Sequence, residues 1–192
     1  MGRLLLIRHG ESEGNRDRVF CRTPDVPLTE AGRSQARAAA EWIAARYAPV
    51  RVVSSPFARA RQTADILADV LGLAAVEVEP GLRERSYGEL AGQPYGAVRA
   101  SADYDPGVYW QWCPPGGESL IEVAARAGEV LDRVARDAPE DDVVVVSHAA
   151  VMAALRCYVT GAWERGRVTP NAGIALVEHR DGAYLGLQLL GD

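Results

Sequence analysis

Leu4-Leu5-Leu6-Ile7-Arg8-His9-Gly10-Glu11-Ser12 sets an apolar run directly against an arginine, a histidine and a glycine-bearing loop. A short apolar run bounded by turn residues reads as a strand buried on both faces of a parallel sheet. Ligands of such sheets bind outside the carboxyl ends of the strands, so His9 is expected at the mouth of a site. The competing reading of a lone strand-end histidine is structural: it hydrogen-bonds a loop carbonyl and does nothing more. A second run weighs against that. Val143-Val144-Val145-Val146-Ser147-His148 repeats the arrangement, and neighbouring strands bring both imidazoles to one edge of the sheet.

Working outward, strands alternate with helices. Thr29 precedes a helical pattern running through Tyr47, with Glu30 in its first turn and Pro49 ending it. Val50 to Ser54 reads as a strand, and Phe57 to Leu71 as a helix stopped by Gly72. Ala75 to Val78 suggests a third strand. From Gly117 the pattern is helical again, with Leu120, Val123, Ala124, Ala127, Val130, Leu131 and Val134 on one face and Pro139 at the exit. Asp142 to Ser147 is a strand and Ala149 to Val159 a helix. Ile174 to Glu178 and Tyr184 to Leu190, joined through Arg180-Asp181-Gly182, read as an antiparallel hairpin. The expected fold is a doubly wound α/β/α sandwich of three layers, its sheet mostly parallel with an antiparallel edge. With neither repeats nor linker-like composition, residues 1–192 read as one domain. The segment 92–117, rich in Pro, Tyr and Trp, reads as an irregular cap over the site; the alternative is a surface loop whose aromatics pack on the sheet edge.

Composition narrows the function. A chain of 192 residues, 48% hydrophobic and 24% charged, supports an ordinary globular core. A net charge of -5 speaks against nucleic-acid binding, which needs basic surface, yet leaves room for a local arginine cluster around a small anion. Cys21, Cys113 and Cys157 are odd in number and lack CxxC spacing, so reduced thiols in a cytoplasmic protein are expected. No window has the apolar length of a signal peptide or membrane span.

Arginines recur where chemistry is expected: Arg8 after the first strand, and Arg59 where Ser54-Ser55-Pro56-Phe57-Ala58 passes into a helix. The planar guanidinium matches phosphate oxygens and stays charged. Arg8-His9-Gly10-Glu11-Ser12 with Asn15 resembles the signature of the histidine phosphatase superfamily, the phosphoglycerate-mutase-like fold. Further blocks agree in order: Pro27-Leu28-Thr29-Glu30-Ala31-Gly32, Ser54 through Ala64, Leu82-Arg83-Glu84-Arg85-Ser86-Tyr87-Gly88, Pro115-Gly116-Gly117-Glu118-Ser119, and Val146-Ser147-His148. The resemblance covers nearly the whole chain.

It implies that His9 is the nucleophile and becomes phosphohistidine, that Arg8, Arg59 and His148 surround the phosphoryl group, and that Asn15 adds a donor. Glu84 matches the proton donor. Its neighbours Arg83 and Arg85 are expected to point away or pair elsewhere, since an inward guanidinium lowers a carboxyl pKa. Neither cofactor nor metal is implied; His9 and His148 lack the HxH spacing or paired aspartates of a metal site. Glu11 and Glu118 either order arginines or favour a turn and a helix start. His179 matches no motif and is expected to be exposed. Arg22 stands where the family often has glycine, either contacting a second anionic group of the substrate or lying in solvent. Tyr95, Tyr109, Trp110 and Trp112 either line the pocket or hold the cap together.

The resemblance favours hydrolysis of a small phosphorylated metabolite. A cofactor-dependent phosphoglycerate mutase is the alternative, but the segment 92–117 offers Arg99 alone, beside Asp103 and Asp105, to hold a second phosphate. A noncatalytic phospho-ligand binder is the other alternative, though it has no need of His9 and Glu84 together. A homodimer is compatible with the family.

Overall fold

A computed structural model describes residues 1–163 and 168–190. Its sheet has six strands: β1 (Gly2–Arg8), β2 (Pro49–Ser54), β3 (Val76–Val78), β4 (Asp142–Ser147), β5 (Ile174–Arg180) and β6 (Ala183–Leu190), in the order β3-β2-β4-β1-β5-β6. The first four in that order run parallel, while β5 is antiparallel to both β1 and β6. The hairpin is therefore the antiparallel edge expected from sequence.

Side-chain alternation along each strand feeds two cores. Leu4, Leu6, Val53, Val143 and Val145 face α5 (Leu120–Asp137) and α6 (Ala149–Thr160). Leu5, Ile7, Val52, Val144 and Val146 face α2 (Glu30–Ala44) and α3 (Ala58–Leu71). Continuous apolar runs in β1 and β4 thus reflect burial on both faces, and the helices form the outer layers. Two short helices complete the set, α1 (Glu13–Asp17) and α4 (Ala97–Ala100).

Local chemistry fixes the helix limits. The α5 helix starts at Leu120 and not at Gly117, because Ser119 is its cap: Ser119 Oγ accepts from the Glu122 amide, and the Glu122 carboxylate accepts from the Ser119 amide. Gly72 ends α3 at φ +69°, as expected. The α2 helix ends at Ala44 and not at Tyr47, and Pro49 opens β2, where the edge of a β-bulge tolerates its missing N–H.

His179 corrects its expectation of exposure. It is only 2% exposed, because the alternation of β5 turns it inward against Gly2, where any Cβ would collide with the imidazole. The segment 92–117 is irregular apart from α4 and packs through its aromatics. Tyr104 meets Trp112 edge-on at 5.2 Å, and Trp110 stacks on Trp163 at 5.9 Å. Among the described residues no helix is long and apolar enough to cross a membrane.

Candidate active site

Pairing of β1 with β4 places Arg8 opposite Ser147, so both histidines leave the sheet side by side. The His9 amide donates to the Ser147 carbonyl at 2.9 Å, and the two imidazoles meet edge to face with centroids 5.1 Å apart. Both are almost wholly buried. His9 Nδ1 lies 2.6 Å from the Gly10 carbonyl oxygen. A carbonyl only accepts, so Nδ1 carries the proton and Nε2 keeps its lone pair. Arg59 Nε donates to that Nε2 at 3.2 Å, in agreement. Burial and then Arg59 hold the His9 pKa well below its ordinary value, which keeps the ring neutral and nucleophilic.

The loop carrying His9 is braced from two sides. Gly10 packs so closely on Gly32, at the start of α2, that a Cβ at either position would overlap backbone. The Gly10 amide donates to Thr63 Oγ1, and Thr63, one turn after Arg59 on α3, donates to the Arg59 carbonyl. From the far end of the chain, Asn171 Nδ2 reaches both the His9 carbonyl and Asn15 Oδ1.

Three cationic or donor side chains converge here with buried nitrogens that have no partner: Arg8 Nε, Arg59 Nη1 and His148 Nδ1. Arg8 is anchored by donation from Nη1 to the Thr169 carbonyl at 2.8 Å. His148 Nε2 lies 2.7 Å from Ser55 Oγ, which also accepts from the Phe57 amide. With the Ser55 hydroxyl donating to Nε2, Nδ1 carries the ring proton and is a donor. Burial and Arg59 keep His148 neutral. Buried donors without partners are costly, and an anion with several acceptor oxygens satisfies them together. Ser55→Ala is expected to lower kcat/KM and to raise the inhibition constant for vanadate, each by about tenfold, because His148 loses the hydrogen bond that holds its ring. Parallel steady-state and vanadate titrations check this; unchanged vanadate affinity rules out the positioning role.

Glu84 arrives from a different loop. Arg126 on α5 donates to the carbonyls of Gly81, Arg83 and Glu84 and pairs with Glu118 through both Nε and Nη2. Glu118 also accepts from Arg83 Nη2 and the Ser86 amide. Arg85 donates instead to the Glu118 and Trp112 carbonyls. Both arginines flanking Glu84 therefore pair elsewhere, as expected. The Glu84 carboxylate accepts from the amides of Arg85 and of Ala150, the latter in the first turn of α6. Burial raises its pKa, against the opposing pull of Arg59. Glu118 is thus the organiser of this loop, whereas Glu11 accepts from Thr29 and makes no ion pair among the described residues.

His9, Arg8, Arg59, Glu84, Asn15 and Arg22 share one cavity of about 720 Å³. Asn15 is fixed within the capping box of α1, its Nδ2 donating to Tyr95 Oη. Arg22 is exposed and lies across Gly92 at the rim, where a Cβ would strike its guanidinium. Tyr95 lines this cavity, while Trp112 packs on Tyr104 and Trp110 on Trp163. Ser55, Arg126 and Asn171 were not singled out from sequence: a buried serine, a helix arginine and a loop asparagine carry no spacing that separates them from ordinary ones. Among the described residues no group of three or more His, Cys, Asp or Glu side chains is placed to hold a metal.

A family model described as histidine phosphatase superfamily (branch 1) matches residues 4–189. The chain belongs to the histidine phosphatase superfamily. Among its curated relatives is a glucosyl-3-phosphoglycerate phosphatase of Mycobacterium tuberculosis, 36% identical over 167 residues covering 80% of this chain and 73% of the relative. A metal-independent phosphoserine phosphatase of Arabidopsis thaliana is 30% identical over 190 residues, 95% of this chain and 78% of the relative. Among solved structures, a mycobacterial glucosyl-3-phosphoglycerate phosphatase complexed with VO3 aligns with a TM-score of 0.83 at 32% identity, covering 99% of this chain and 98% of that one. This superfamily member therefore keeps the fold across nearly its whole length.

Proposed function

We propose that this chain hydrolyses a small phosphomonoester through a phosphohistidine on His9. Superfamily membership and its phosphatase-named relatives make it a phosphoric monoester hydrolase. The His9 Nε2 lone pair attacks phosphorus as the bond to the leaving oxygen breaks, and that oxygen takes a proton from Glu84. Water then attacks the phosphohistidine, giving its proton to the Glu84 carboxylate, and inorganic phosphate departs. One residue thus serves as acid and then as base. Arg8, Arg59 and His148 hold the transferring oxygens, and Asn15 contributes the second hydrogen of its Nδ2. Arg22, at the rim, takes a second anionic group of the substrate. The single observation that carries this reading is the fixed His9 tautomer, with its Nε2 among buried nitrogens awaiting acceptors.

Hydrolysis is favoured over a mutase because the segment 92–117 carries Arg99 alone, beside Asp103 and Asp105. A binding module would retain no need for the paired nucleophile and acid. We read residues 1–192 as one domain with 92–117 its cap, working in the cytoplasm and free to form a homodimer.

Phosphate release from a panel of phosphomonoesters, with chelator present, tests the proposal when run beside an isomerisation assay on 3-phosphoglycerate. Turnover in chelator, with a phosphoenzyme stable to alkali and labile to acid, is expected. Isomerisation faster than hydrolysis overturns it.

A further inference from the structure

Beyond the reaction cavity lies a second one of about 710 Å³, between the cap and the outer face of α6 and β6. The two are adjacent: Ala149, the residue after His148, and Val168 line both. The floor is apolar, built from Met152 and Ala153 of α6 and Leu187 and Leu189 of β6. Tyr104 and Tyr109 of the cap supply aromatic faces. Two arginines stand in the wall: Arg156 of α6, and Arg99, the single cation of segment 92–117, which makes no ion pair among the described residues. No Asp or Glu is among the described lining residues, and carbonyl or amide side chains of the kind that recognise polyols are absent from them.

We infer that this cavity is a leaving-group subsite for phosphomonoesters with an extended apolar or aromatic body and an anionic end. The inference rests on the hydrolase reading and names its substrate class. The cavity adjoins the reaction cavity at Ala149 and Val168, so an occupant long enough to pass these two residues is the same molecule whose phosphate meets His9. The apolar floor rewards a body of rings or chain, since burying such surface is favourable in proportion to its area. An anionic terminus is selected by Arg99, whose guanidinium pairs with a carboxylate. A compact substrate such as phosphoserine leaves this space unused.

Phenyl phosphate, 4-biphenylyl phosphate and 4'-carboxy-4-biphenylyl phosphate test this, because their phenols leave with similar ease and differ in reach. Expected kcat/KM rises about 10- to 100-fold from the first to the second, the gain of one buried ring. It rises again, by about threefold to tenfold, with the carboxylate. Ala153→Phe fills the cavity from its partly exposed wall and is expected to erase both gains while phenyl phosphate is turned over as before. Arg99→Ala, at an exposed position, is expected to erase only the second, and it preserves the test if the phenylalanine variant fails to fold. Equal kcat/KM for phenyl and biphenylyl esters, or loss in Ala153→Phe that falls equally on all three, overturns the subsite. Failure of the wild type on phenyl phosphate itself is a failure of the hydrolase reading. The subsite is then judged by calorimetric binding of 4-biphenylcarboxylate: binding lost in Ala153→Phe supports it and no binding overturns it.

Discussion

His9→Ala is expected to reduce kcat/KM on every substrate by roughly 10⁴- to 10⁶-fold, the scale on which removal of an attacking group acts when its partners remain. The arrangement explains why so little survives. Arg59 Nε is bound to the His9 ring itself, and Arg8, Arg59 and His148 leave buried nitrogens around it. In the alanine variant those donors still bind phosphate, so inhibition by inorganic phosphate or vanadate persists while turnover ends. Single-turnover mixing with a phosphorus-labelled ester checks this by trapping protein-bound phosphate in wild type and none in the variant. Retention of more than about one hundredth of wild-type turnover contradicts a nucleophile at this position.

Glu84→Gln is expected to show its effect through the leaving group. On alkyl phosphates, where the departing alkoxide needs a proton, a loss of about 10²- to 10⁴-fold follows from removal of a positioned acid. On p-nitrophenyl phosphate the phenolate leaves unaided, so His9 is still phosphorylated. Water attack then lacks its base, and a burst of one equivalent of nitrophenol is followed by slow turnover. The pH dependence has a definite sign. Phosphorylation needs neutral His9 and protonated Glu84. The depressed His9 pKa moves the acid limb below the ordinary imidazole value of 6.5, and the raised Glu84 pKa moves the alkaline limb above the ordinary carboxyl value of 4.5. Each shift therefore raises the fraction of molecules in which neutral His9 and protonated Glu84 coexist. In Glu84→Gln the alkaline limb of the phosphorylation step disappears and the acid limb stays. A burst amplitude that remains at zero across pH excludes Glu84 as the group assisting departure and return.

The parts of this molecule that were legible in sequence share one property: their signal is local. Unbroken apolar runs in β1 and β4 announce two-sided burial, Gly72 announces a helix end, and His9 and His148 each follow a strand directly. What was not legible depends on contacts across the chain. Arg126 looks like any polar position on α5, yet it gathers three carbonyls of the Glu84 loop. Ser55 acquires a role only because β2 pairs with β4 and brings it to His148. His179 read as exposed because it lies near a turn, but Gly2 on the neighbouring strand opens a space for it. The same limit separates the aromatics of the cap: Tyr95 reaches the reaction cavity, whereas Trp112 is consumed by packing on Tyr104.

The position of β1 in the sheet carries a consequence for biosynthesis. Its neighbours are β4 and β5, with Arg3 paired to Asp142 on one side and to Glu178 on the other. A ribosome therefore releases Leu4 through Ile7 long before either partner exists, and the most apolar strand waits through most of translation. Contacts so distant in sequence slow folding and leave nascent chains prone to association. The reactive centre is also completed late, since Thr169 and Asn171 anchor Arg8 and His9. A chain that ends before Thr169 lacks both of these anchors, so its Arg8 and His9 are left without the contacts that hold them.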